Sequence, residues 1–376
     1  MLIVSQITLK MIFLIYTEVN FLLSLSTIVR RVINSLSNKN GLLRIYSFSI
    51  LSTLSIWAFI GFNNGISAAI TVILLTILEV TFSFDNAVIN GRILVTLSKF
   101  WQTLFLTVGI FLAVFVVRFF VPLLIVAITA DLSIAKVADL ALNQPLQYAA
   151  ELHKSAHLID AFGGTFLLLV GASFFIDSAK KHHWLSFIEK PLSAAGKLPN
   201  FTVLSMMAIT GIIYYVNSFR YSPQERNAIL MAGIVAITLY IVMGIFDKLS
   251  SGQKKSTVKH KVGMAAFMSF MYLQLLDASF SLDGVIGAFA ITSSVVLIAA
   301  GLGAGAVWVR SMTVHLVRTG TLTKYKYLEH GAHWAIICLG LIMLIRLYGL
   351  ELPEWATGSV GLVFIASSVV SSIRRK

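Results

Sequence analysis

The chain has 376 residues, 57% of them hydrophobic and 12% charged, with a formal net charge of +13 and a mean hydropathy of +0.87. A soluble domain carries roughly 25% charge, so a soluble globular protein is excluded. The basic residues stand in short clusters between apolar runs, not in a patch interleaved with aromatics. That excludes a nucleic-acid surface and follows the positive-inside pattern of membrane proteins. The single cysteine, Cys338, lies in an apolar run, which leaves no disulfide framework, CxxC pair or thiolate metal cage.

The expected fold is all-α, a polytopic helical membrane protein of about ten transmembrane helices. Residues 1–42 read as a separate N-terminal segment. Their apolar run at 11–29 is interrupted by Glu18 and Asn20 and followed by Arg30 and Arg31, which suits an interfacial helix or signal anchor. Residues 43–376 read as one transmembrane bundle. Its expected spans are about 44–61, 66–90, 103–128, 161–179, 198–217, 228–247, 262–290, 292–309, 332–349 and 357–372. The alternate loops that hold Arg92, Lys180, Lys181, Lys254, Lys255, Arg310 and Arg318 carry most of the cations. The opposite loops carry Asp131, Asp139, Glu151 and Glu225. This bias places the protein in a cell membrane, inner or plasma, with both ends of the bundle cytoplasmic.

The second span contains "LEVTFSFDNAVING" (78–91) and the seventh "LDASFSLDGVIGA" (276–288). At an offset of 198, Glu79 aligns with Asp277, Ser83 with Ser281, Asp85 with Asp283 and Asn86 with Gly284. A weaker match joins "LIDAFGGTFLLLVG" (158–171) to "LEHGAHWAIICLG" (328–340), each with an acid at its mouth, Asp160 and Glu329. The repeat unit is therefore three helices, 66–179 and 262–349. By the charge bias the two units thread the membrane in opposite directions. Inverted repeats of this kind build transporters, with the site near the midplane where the halves meet.

At 100° per residue, Glu79, Ser83, Asn86 and Asn90 fall within about 60° on one stripe. Asp277, Ser281, Gly284 and Ala288 form its counterpart. Asp85 and Asp283 lie about 120° away on a regular helix, so local unwinding is expected near both Ser83–Asn86 and Ser281–Gly284. Each acid at the bilayer centre costs roughly 2.5–3.5 kcal/mol on insertion scales. Arg118 and Arg346 are the embedded cations expected to offset part of this, with a divalent cation or exchangeable protons completing the balance. Carboxylate, carboxamide and hydroxyl oxygens suit hard ions such as Mg²⁺, Ca²⁺ and Mn²⁺. His157, His315, His330 and His333, near span ends, are expected mostly at the interface.

The two motifs, in this order, resemble those of the TerC family of integral membrane proteins, which is associated with tellurium resistance. They are similar in particular to a branch of it that is a domain of unknown function. The resemblance covers roughly residues 60–350. It departs after Asp283, where this chain has Gly284-Val285 and many members have Ser followed by Pro-Ala. The resemblance implies a small exporter of the inverted-repeat type and, from the better understood members, Mn²⁺ efflux. It implies Glu79, Asp85, Asn86, Asp277 and Asp283 as metal ligands, with Ser83, Asn90, Ser281, Gly284, Arg118, Asp160 and Glu329 in support or along the pathway. The expectation is a transporter and not an enzyme. It has no resident cofactor, and its partners are membrane lipid and a divalent metal ion. Homo-oligomerisation is left open. An exporter of a small organic solute such as an amino acid, or a membrane scaffold or sensor in metal stress, is the alternative.

Overall fold

The computed structural model describes residues 41–178, 180, 182–198, 200–251, 260–350 and 352–374. The reading of an interfacial or anchoring segment over residues 11–29 lies outside them. The chain divides into two compact units, residues 1–55 and 56–376. In the first, residues 41–55 are helical and open α1 (Gly41–Asn64).

The second unit is built from helices, and among the described residues its one extended contact is an isolated bridge between Leu97 and Lys261. In chain order it holds α2 (Ile66–Phe82), α3 (Phe84–Leu94) and the long span α4 (Lys99–Thr129). Two short helices, α5 (Ile134–Asn143) and α6 (Pro145–Lys154), lead to α7 (Ala156–Ile176) and α8 (Ser186–Ala195). Next come α9 (Phe201–Val216), α10 (Pro223–Ser251), α11 (Gly263–Ile291) and α12 (Val295–Arg318). The last are α13 (Thr321–Lys324), α14 (Leu328–Arg346) and α15 (Glu354–Arg374). Over the described residues of both units, nine helices are long and apolar enough to cross a membrane, or ten if the bent pair α2–α3 is counted as one span. In lipid every backbone donor and acceptor must be satisfied within the chain, which is why these runs are helical throughout. The protein is a multi-pass helical membrane protein.

The two three-helix units exchange partners. α2 and α3 of the first pack on α12 of the second, α4 packs on α11, and α7 packs along α14. Close approach of α2 and α12 depends on small residues. A Cβ added at Gly305 would lie 2.5 Å from Cβ and Cγ of Glu79, so no side chain is tolerated there without moving a helix. α4 is irregular, running as a π-helix over Leu112–Phe120. Such wide turns are found mostly at functional positions, and this one carries Arg118.

One expectation changes. The eighth span does not stop near residue 309 but continues to Arg318, ending before Gly320 in the left-handed conformation (φ 65°). Arg310, assigned to a basic loop, therefore lies two turns inside the helix and is 2% exposed. His330 and His333, expected at the interface, are buried inside the bundle. α8 folds back over the start of α14, and its Glu189 is fully buried. Glu189 accepts hydrogen bonds from the backbone N–H of Trp184 (3.0 Å) and Leu185 (3.2 Å), capping its own helix, and from Nε1 of Trp334 (3.2 Å). His330 Nε2 lies 3.5 Å from the same carboxylate, and His333 stacks on Phe174 at 3.7 Å.

Candidate functional site

The first motif is divided between two helices. α2 ends at Phe82, Ser83 has φ −101° and ψ 17°, and α3 leaves at an angle of 53°. The break expected near Ser83–Asn86 is present. It creates a second helix N-terminus inside the bundle, and Asp85 sits in its first turn, where carboxylates are favoured. Its Oδ1 accepts from the backbone N–H of Asn86 at 2.9 Å. The break expected at Ser281–Gly284 is absent, because α11 runs continuously from Gly263 to Ile291. The chemistry of the two acids differs accordingly. Asp283 is ion-paired with Arg346 and has no need of backbone N–H groups, whereas Asp85 has no ion-pair partner among the described residues and takes a backbone donor.

Glu79 and Asp277 converge on one guanidinium. Arg118 Nη2 donates to Glu79 Oε1 at 2.5 Å, and Arg118 Nη1 lies 3.9 Å from Asp277 Oδ2. Nη1 also donates to the carbonyl of Ala113 at 2.8 Å, a residue of the same π-helix. Asp277 takes a second cation, Arg310, whose Nη2 donates to its Oδ2 at 3.3 Å and to the carbonyl of Gly109 at 3.1 Å. Arg310 also faces the ring of Phe105 at 3.9 Å. The two repeats therefore make the same pair, an acid on the first helix and an arginine on the second: Glu79 with Arg118, Asp277 with Arg310. Arg310 was missed in the sequence because it stands at the edge of the expected span. The repeat gave no direct signal either, since at its offset Arg118 aligns with Leu316 and Arg310 stands six residues out of register.

The remaining residues fall around this pair. Ser83 Oγ donates to Glu79 Oε1 at 2.8 Å, and Asn86 Nδ2 donates to Asp277 Oδ1 at 3.2 Å, tying the motifs to each other. Asp160 joins Asp283 on Arg346, at 2.7 Å. Glu329 is not brought to the site, since it pairs with Arg92 Nε at 2.7 Å near the far end of α3. Asn90 is 1% exposed, and neither its Oδ1 nor its Nδ2 finds a hydrogen-bond partner among the described residues. Asn86 Oδ1, Ser281 Oγ and both polar atoms of Gln274 are likewise buried without partners. Orphaned polar atoms at this depth cost about 1–3 kcal/mol each unless water or an ion meets them.

Glu79, Ser83, Asp85, Asp283, Gly284 and Arg346 line a cavity of about 60 Å³, with Phe82, Phe280 and residues of α15 also in its wall. That volume holds about four waters. Gly284 and Gly361 keep it open: a Cβ at either would stand 3.7 Å from Glu79 Oε2 or Asp85 Oδ2 respectively. Five carboxylates (Glu79, Asp85, Asp160, Asp277 and Asp283) face three guanidiniums (Arg118, Arg310 and Arg346). Fully ionised, the group carries two unbalanced negative charges. Among the described residues no three His, Cys, Asp or Glu side chains come close enough to form a metal cage by themselves.

Searches of curated proteins and of solved structures gave no match. A family model described as "Protein of unknown function (DUF475)" matches residues 84–376, from the first turn of α3 through the second motif to the last residue. The match covers more than half of the chain, and the protein belongs to the DUF475 family.

Proposed function

We propose that this protein is a secondary transporter that exports a hard divalent cation, with Mn²⁺ the first candidate, in exchange for protons. The observation that carries the reading is Asp85: a buried carboxylate with no ion-pair partner among the described residues, lining one cavity with Glu79 and Asp283. The two unbalanced charges equal those of one divalent ion or two protons. Alternate occupancy of the site by the one and the other is electrically neutral, which a low-dielectric interior favours. Oxygen donors select hard ions, and such ions keep part of their water shell. That agrees with a cavity of a few waters in which three carboxylates stand apart.

The resemblance to the TerC family, the inverted threading of the two units, and cytoplasmic ends in a plasma or inner membrane belong to the same proposal and rest on the motifs and the loop charges.

The test is uptake into proteoliposomes containing the purified full chain and a Mn²⁺-quenched dye, with an imposed pH gradient. Saturable quenching that Asp85→Asn abolishes supports the proposal. Equal rates in protein-free vesicles reject it. Saturable Mn²⁺ binding without flux also rejects it and favours a sensor.

A further inference from the structure

A second, larger cavity, of about 710 Å³, lies at the basic end of the bundle, among α3, α7, α9, α10 and α11. Its size is that of sites for organic ligands. Arg92 and Lys261 stand at it on adjoining backbone. The N–H of Lys261 donates to the carbonyl of Thr96 at 2.8 Å, and Thr96 follows Arg92 by about one helical turn. Both cations are held in position, Arg92 by Glu329 at 2.7 Å and Lys261 by Ser269 Oγ at 3.1 Å. The N-terminus of α9 adds to the positive field. Asn200 has φ 54° and makes no side-chain cap, and Thr202 and Val203 of the first turn line the cavity. A helix N-terminus beside two cations attracts phosphate. The opposite wall is apolar and turned outward: Ile241 and Ile245 of α10 line the cavity and are 38% and 49% exposed.

A charged recess at the membrane boundary that continues into an apolar, lipid-facing wall matches one class of molecule. We infer that this cleft binds an anionic phospholipid from the leaflet at the basic end. Its phosphate is held by Arg92, Lys261 and the first turn of α9, and an acyl chain lies along Ile241, Ile245 and Met268. Basic pockets between membrane helices take anionic head groups for this reason. The inference stands apart from the transport reading, since the cleft shares no residue with the acidic cavity.

Native mass spectrometry of the delipidated full chain tests it, with palmitoyl-oleoyl phosphatidylglycerol and phosphatidylcholine as probes of identical chains. One phosphatidylglycerol should be retained at least about five-fold more tightly than phosphatidylcholine, the contribution of a single cation near a membrane surface. Lys261→Gln should remove that preference while leaving Arg92 with Glu329. Gly244→Trp should expel both lipids, because a side chain at Gly244 meets open space and fills the cleft. If Lys261→Gln does not fold, Gly244→Trp decides: loss of bound phosphatidylglycerol supports the site and unchanged retention overturns it. Equal retention of the two lipids by the unaltered chain overturns it too. Retention of inorganic phosphate without retention of phosphatidylglycerol overturns it in favour of a phosphate site alone.

Discussion

Arg118 of the first three-helix unit donates to Glu79 of its own unit at 2.5 Å and approaches Asp277 of the other to 3.9 Å. One guanidinium, buried with only 2% of its side chain exposed, therefore holds the two motifs at a common point. Breaking a buried pair by removing one partner leaves the other charge uncompensated, at a cost of about 3–5 kcal/mol. Arg118→Met is expected to lower stability by about that amount, read as an earlier midpoint in denaturant unfolding of the detergent-solubilised chain. Adding Glu79→Gln to it should recover part of the loss. Arg310→Met should cost less, because Asp277 keeps Arg118.

Asp85 should behave in the opposite way. Its neutralisation removes no ion pair, so Asp85→Asn is expected to leave the unfolding midpoint unchanged or higher while abolishing cation flux. A variant that lost stability and flux together would show Asp85 to be structural.

Gly305 tests the approach of α2 to α12. With a Cβ only 2.5 Å from Glu79, Gly305→Ala must displace one helix or bend the other. Overpacking of this kind costs about 1–3 kcal/mol. Gly361→Ala, where the added atom would rest 3.7 Å from Asp85 Oδ2, should be neutral for stability and slow transport by narrowing the cavity. The pair separates a packing glycine from a cavity glycine in the same unfolding and flux assays.

Outside the spans, Lys180 predicts a pH dependence. Burial pushes its amine down to about 8, against the opposing pull of Glu189, Glu329 and Asp177. Its ammonium stands 3.4 Å over the ring of Phe174. The folded value lies below the unfolded one, near 10.5. Holding the charged form is therefore a penalty at its full size below pH 8, relieved as pH rises from 8 towards 10.5. The thermal midpoint should climb between pH 7.5 and 9.5, and that climb should flatten in Lys180→Gln.

Much of the architecture was legible before any coordinates, and for a simple reason. An apolar run of about twenty residues can satisfy its backbone in lipid only as a helix. Nine helices and one bent pair accordingly stand close to where hydropathy placed spans. The repeat of Glu79 and Asp277 at a fixed offset marked the two acids that meet. Arg310 was not legible as a partner, because the expected span stopped one residue short of it and hydropathy cannot see that Asp277 and the Gly109 carbonyl make that charge welcome. The burial of Glu189 was equally hidden. Its donors include Trp334, 145 residues away, as well as its neighbours in sequence.

The amino-acid sequence by itself determined the class of fold and the run of long apolar helices, since each follows from what a single segment does in contact with lipid. Only the tertiary structure decided which guanidinium each carboxylate receives. It also decided that the chain breaks at Ser83 but not at Ser281, and that Asp85 is left for something else to neutralise. Those are properties of charges a few ångströms apart on different helices. Their energies depend on distance and burial, which spacing along one helix does not contain.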